Sequence, residues 1–230
     1  VAIAEGITWT RTLANLPANY CTPSELAKEA VAFAKQHKSL TTKIFERKDM
    51  EKLGMGASEM AEIVFEECRI PAENRLGPEE AGLIRALKVL TLGRIASAAF
   101  GVGLGRAAMH EAKNYCQERV QFGGPLTANQ FVRFTIADMA TRLEASWQLC
   151  LHSARLADAG QPHDQEASMA KLYATETCTW VCERALHLCG AQGYMKESPV
   201  QRFYRDCKVL EIGEGTSEIQ RETIFRQLGV

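Results

Sequence analysis

Glu214 stands between Gly213 and Gly215 and is followed by Thr216, Ser217, Glu218, Ile219 and Gln220. Glycines on either side let backbone or a flat ligand come close to its carboxylate. Ser217, with Gln220 three positions on, predicts a capped helix start, and Glu218 suits the first turn of that helix. Glu214 is thereby expected on a loop just ahead of a helix N-terminus, where negative charge is favoured and a base stays ionised. On spacing alone, a glycine-rich turn whose glutamate only serves the helix dipole fits equally well. A second group with chemical potential is Cys178, Cys182 and His187. Its spacing lacks the two-residue gap of a zinc knuckle and has no second pair, so buried apolar thiols are expected and no metal site.

The wider string from Lys208 to Arg221 closely resembles the C-terminal signature of the acyl-CoA dehydrogenase family, an acidic base followed by Gly-Thr-Ser-Glu-Ile-Gln-Arg. Further family marks stand upstream in order: Gly93-Arg94, the run Glu118 to Leu126 ahead of Gln130, Cys189 to Tyr194, Pro199-Val200 and Tyr204-Arg205-Asp206. The resemblance runs from about Ala61 to Val230. It implies FAD-dependent α,β-dehydrogenation of acyl-CoA thioesters, with Glu214 as the base that takes the α proton. A bound acyl chain would exclude water around Glu214 and strengthen it as a base.

The remaining roles follow from the same resemblance. Some members carry the base on the first bundle helix, at a position that is Gly93 here and cannot supply one. Arg94 and Gly215 fall on the substrate side, although a helix-end or interhelical ion pair accounts for Arg94 equally well. Arg119, Gln121 and Phe122 match a loop that reaches the FAD of a neighbouring subunit, and Gln130 lies on the same surface. Arginine suits a pyrophosphate because its donors fork toward two oxygens. His187, Gly190 and Ala191 match a segment that approaches flavin or adenine. His187 stands where Gln is common and Ala191 where a second Gly is usual, and a plain buried histidine is the default reading of His187. Thr216 and Glu218 fall on the FAD side. The resemblance further implies a homotetramer and electron-transfer flavoprotein as partner.

With 230 residues, 46% hydrophobic and 24% charged, the chain is long enough for a substantial core and ordinary for a globular protein. A net charge of -1 gives no sign of a nucleic-acid or anionic-membrane partner. No apolar run is expected to reach the length of a membrane span. Eight scattered cysteines point to a reducing, cytoplasmic compartment.

The fold class expected is mainly α, an antiparallel helical bundle like the acyl-CoA dehydrogenase C-terminal domain, preceded by a small α/β fragment. Apolar residues at helical spacing predict helices from Leu83 to Cys116, Gln130 to Ala157 and Asp164 to Cys189. Shorter ones are expected at Pro199 to Cys207 and Ser217 to Leu228. Gly101, Gly103 and Gly105 lower helix propensity but permit close helix contact. Ala61 to Glu66 reads as a strand and Pro71 to Pro78 as a turn-rich connection.

The leading segment differs. Thr22-Pro23-Ser24-Glu25 predicts a helix start, with a helix to about His37, a strand around Lys43 to Glu46 and a small helix ending at Gly54. Thr10 to Asn19, Cys21 to Pro23 and Arg47 to Gly56 resemble leucyl aminopeptidases, but the metal-binding runs of that family have no counterpart here. Three regions are expected: an aminopeptidase-like fragment at 1–58, a strand-and-turn remnant of a β-domain at 59–78, and the bundle at 79–230. The chain therefore resembles a chimera. The family's N-terminal domain and most of its middle β-domain are unmatched, which implies doubtful FAD binding by this chain alone. A non-catalytic helical oligomerisation module is the alternative, and a metallo-aminopeptidase is strongly disfavoured.

Overall fold

The computed structural model describes Lys28, Val31, Ala32, Leu40–Thr42, residues 53–56, Ile63–Phe65, Arg69, Pro71, Asn74, Pro78 and residues 82–229. The chain divides into two compact units, Val1–Leu83 and Ile84–Val230. In the first, β1 (Leu40–Thr42) pairs antiparallel with β2 (Ile63–Phe65), Leu40 opposite Phe65 and Thr42 opposite Ile63. Thus β2 falls inside the strand expected at Ala61 to Glu66. Lys28, Val31 and Ala32 are helical, inside the helix expected after Thr22. The strand expected at Lys43 to Glu46 and both ends of that helix lie outside the described residues. Leu53 and Gly54 are bends where a small helix was expected to end.

The second unit is a bundle of long helices: α1 (Gly82–Glu118), α2 (Gln130–Asp158), α3 (Asp164–Tyr194), α4 (Pro199–Ile212) and the short α5 (Ser217–Gln227). Chain neighbours run antiparallel. Cys150 of α2 meets Ile95 of α1, and Leu143 meets Gly105. Consequently α1 and α3 run in the same direction: Thr91 donates to Asp164 at 2.6 Å and Arg94 to Ser168 at 3.1 Å. Small residues bring the helices together. A Cβ on Gly101 would lie 3.2 Å from the Ala174 carbonyl, and one on Gly105 2.6 Å from Leu143 Cδ2. Gly103 does not share this role, since it faces open space.

Helix ends follow local chemistry. Asn129 accepts from the Phe131 N–H to start α2, and Ser198 accepts from the Val200 N–H with Pro199 in the first turn of α4. Helix α4 runs past the expected end at Cys207 to Ile212. Lys208 and Glu211 pair at 2.6 Å along its last turn, and a lysine from α3 donates to the Glu211 carbonyl. The start of α5 also corrects the expectation. Thr216, with extended backbone, is the cap residue and Ser217 the first helical one. Gln220 closes no capping box because its side chain is buried and turned back to the preceding loop.

The core holds Met139, Leu143, Val102, Val181 and Val200 among alanines and thiols. Cys116, Cys150, Cys178, Cys182, Cys189 and Cys207 are all buried and free, as expected of apolar thiols. One expectation fails outright. The segment Leu87–Glu118 of α1 is long and apolar enough to cross a membrane by length and composition. Gly101 and Gly105 of this segment pack closely against α3 and α2, while Leu87, Val89, Leu92 and Phe100 on it are exposed.

Candidate active site

The chain enters the 213–216 loop from the C-terminus of α4 and leaves it into α5. Glu214 has φ +54 and Gly215 φ +90, two successive left-handed residues. For a glutamate that conformation is strained, and it persists only where surroundings over-determine it. Gly215 is required: a Cβ there would lie 2.9 Å from Gln220 Nε2. The turn sends the Glu214 side chain onto α1, where its carboxylate lies on Gly93. A Cβ on Gly93 would stand 2.8 Å from Glu214 Cδ and closer still to Oε2. The carboxylate therefore fills the space that a side chain at position 93 would take. Glu214 is half-buried.

Buried polar groups surround this loop. Lys171, fully buried, donates to the carbonyls of Glu211 at 3.0 Å and Gly215 at 2.6 Å. Gln220, also fully buried, donates to the carbonyls of Glu214 at 3.1 Å and Gly215 at 2.8 Å. Glu211 accepts from Thr179 and pairs with Lys208. Arg94 is buried, bonded to Ser168, and its Nε has no partner. The interhelical bond expected of it thus goes to a hydroxyl; among the described residues no carboxylate pairs with it. Burial pushes the Lys171 ammonium below its usual range, against the pull of Glu211. Thr216 is half-buried at the cap and Glu218 exposed in the first turn. The Glu218 backbone N–H, then the Thr216 hydroxyl, hold the Glu218 carboxyl below the usual range.

The other candidates collect at the opposite end. After α1, β3 (Val120–Gln121) and β4 (Gly124–Pro125) form a two-residue hairpin whose turn, Phe122 and Gly123, has φ +53 and +83. Left-handed values at both central residues make a tight primed turn, and a phenylalanine there is strained. Phe122 is fully exposed at its tip. Nearby, α3 breaks at Gly190, whose φ of 53 and ψ of -139 are not helical. Two clefts meet at this break. One, about 420 Å³, is lined by Tyr115, Arg119, Gln121, Gly190, Ala191 and Gln192 among others. The second, about 540 Å³, includes His187, Gly190, Ala191, Tyr194 and Tyr204. His187 is exposed in that cleft and not the buried histidine expected by default. Gln130 is exposed at the start of α2, close in sequence to the hairpin.

The structure thus brings Arg94, Glu214, Gly215, Thr216 and Glu218 to one end of the bundle. Arg119, Gln121, Phe122, His187, Gly190 and Ala191 are gathered at the other. Sequence reasoning missed Lys171 and Ser168, and took Gln220 for part of a helix cap. A lysine in a helical pattern reads as a surface residue, and only the absence of a carboxylate at helical spacing from Lys171 hinted otherwise.

The unit is thus a long-helix bundle with a glycine-cradled carboxylate at one end and an arginine-lined cleft at the other. Residues 80–229 match the family described as acyl-CoA dehydrogenase, C-terminal domain. The mitochondrial short-chain specific acyl-CoA dehydrogenase of Rattus norvegicus is 43% identical over 181 residues, 79% of this chain and 44% of that one. The caffeyl-CoA reductase-Etf complex subunit CarC of Acetobacterium woodii is 37% identical over 222 residues, 91% of this chain and 59% of that one. Among solved structures, butyryl-CoA dehydrogenase from Megasphaera elsdenii superimposes with a TM-score of 0.79 at 36% identity, over 84% of this chain and 49% of that one. The chain belongs to the acyl-CoA dehydrogenase family and spans about half the length of these relatives. Residues 8–61 match a second family, the cytosol aminopeptidase catalytic domain, although the CarC alignment also enters that segment.

Proposed function

We propose that this chain supplies the catalytic helical domain of an FAD-dependent acyl-CoA dehydrogenase, with Glu214 as the base. The observation that carries the reading is the Glu214 carboxylate lying on Gly93, half-buried and fixed by a left-handed turn. A base must be aimed at the α hydrogen before chemistry begins, and a loop strained into one conformation does that. Thioester bound beside Glu214 would expel water from it, and the carboxylate would take the α proton. FAD, when bound, supplies the acceptor for the β hydride. The names of two relatives, a butyryl-CoA dehydrogenase and a short-chain specific acyl-CoA dehydrogenase, support a CoA thioester as substrate.

The residues present fit FAD at both ends of the bundle. Arg119 presents forked donors in a cleft beside the exposed backbone of Gly190, a combination suited to a pyrophosphate. Thr216, Glu218 and the α5 N-terminus border the base. Arg94 lies on α1 and Arg119 directly follows its last residue, 25 residues on, so about 37 Å separates them at 1.5 Å per residue. That exceeds an extended FAD, so one copy's Arg119 end would serve the flavin beside another copy's Glu214. This supports the homo-oligomer, a tetramer by resemblance, and the name of CarC supports electron-transfer flavoprotein as the acceptor.

Purified protein mixed with FAD should show the flavin absorbance bands and bleach on adding butyryl-CoA. Glu214→Gln should bind FAD but bleach about a thousandfold more slowly. A second reading is a non-catalytic oligomerisation module, favoured by the fully exposed Phe122 on its strained turn. Protein that assembles yet takes up no FAD would select it. The match at residues 8–61 supports an aminopeptidase-like leading fragment joined to the dehydrogenase-like bundle in a chimera; sequencing the gene and its transcript across residues 55–65 tests the junction.

A further inference from the structure

We propose that Lys171 is a positioning residue that fixes the Glu214 loop over Gly93. A buried lysine is costly, and this one is fully buried with no carboxylate among its hydrogen-bond partners. Its two acceptors explain its place. Glu211 O is one of the carbonyls left unpaired by the end of α4, where a cation is favoured. Gly215 O belongs to the residue directly after Glu214. One ammonium thus ties the last turn of α4 to the far side of the strained turn, with Glu214 between its two anchor points. Gln220 holds the same Gly215 carbonyl from α5 and adds that of Glu214.

The arrangement accounts for three otherwise separate facts. Glu214 keeps φ +54 although glutamate disfavours it, because its own carbonyl and that of Gly215 have fixed partners. Helix α4 extends to Ile212, because the Glu211 carbonyl in its last turn has a donor. Gly93 is left bare, because the clamped loop delivers a carboxylate into its space. Lys171 touches neither substrate nor flavin in this scheme; it acts through the loop.

The proposal rests on the reading of Glu214 as base, yet it can be tested without flavin or substrate. In the full chain, the Glu214 side-chain carboxyl carbon can be assigned by ¹³C NMR as the signal lost in Glu214→Gln. In Lys171→Met, which keeps the bulk and removes the donors, that signal should move to the cluster of solvent-exposed glutamates. Amide exchange across Glu211–Ser217 should quicken about tenfold or more, while exchange across Leu186–Tyr194 stays unchanged. An unmoved Glu214 signal, or a uniform quickening along all helices, would overturn the proposal. Should Lys171→Met fail to fold, Lys171→Gln replaces it under the same two readouts. Loss of fold in both would assign the lysine to general stability and equally overturn the claim. Flavin bleaching by Glu214→Gln judges the base itself, so the two ideas fail separately.

Discussion

At the Glu214 end of the bundle the carbonyls of Glu211, Glu214 and Gly215 meet buried donors from Lys171 or Gln220, and the carboxylate rests on α1. At the Arg119 end the groups are spread around two open clefts, with Phe122 fully exposed and α3 broken at Gly190. On the function proposed above, the contrast follows from what each end would have to do. Proton abstraction depends on where one carboxylate points, so strain and buried polar bonds are tolerated to hold it. Recognition of a long, charged, partly flat ligand depends on donors and backbone that remain reachable, so burial would defeat it. Both ends share the same three long helices, which makes the middle of the bundle the natural control.

The largest effect should come from that middle. Gly105 faces Leu143, and a Cβ there would stand 2.6 Å from Leu143 Cδ2. Gly105→Val should force α1 and α2 apart, costing about 1–3 kcal/mol by overpacking. Its melting midpoint should fall while amide exchange at both ends quickens together. Quickening at one end alone would break the idea of a common scaffold.

Gly93→Ala should separate the ends. The atoms it meets are the far end of a flexible side chain, so stability should change little. The carboxylate must nevertheless swing away, and a displaced base of this kind slows chemistry about a hundredfold. Stopped-flow bleaching of the flavin by butyryl-CoA reads the rate, and FAD titration should show unchanged affinity. Arg119→Ala should do the reverse: FAD binding weaker by about tenfold or more, from loss of a charge-assisted hydrogen bond, with the ¹³C signal of Glu214 unmoved.

How much of this was legible in the sequence differs by end for the same physical reason. The helices were readable because Ala98, Val102, Ala112 and Cys116 repeat at helical spacing and are indeed buried. Glu214 and its glycines were readable because a left-handed turn demands particular residue types. Gly93 was read as a vacancy for a base, and the contact with Glu214 gives that vacancy a spatial cause. Lys171 and Gln220 were not readable, since their partners are backbone carbonyls 40 or more and five or six residues away, which no side-chain pattern encodes. The hairpin at Phe122 was hidden likewise, because phenylalanine is a poor signal for a primed turn.

The smallest expected effect concerns Glu218, exposed at the start of α5. Its carboxyl is lowered in the folded chain by its own backbone N–H and by the Thr216 hydroxyl, with Arg221 adding to the shift. A lowered acid binds fewer protons folded than unfolded, so its contribution is present at neutral pH, above the unfolded value. It is lost as the pH falls through the folded value. Thermal melts of the wild-type chain and Glu218→Gln should therefore differ slightly at neutral pH and converge as the pH falls below the usual carboxylate range. Because the group is solvated, added salt should shrink even the neutral-pH difference. A gap that widens in acid would mean that Glu218 is not serving the helix start, and that the α5 N-terminus beside Glu214 is held by the buried clamp alone.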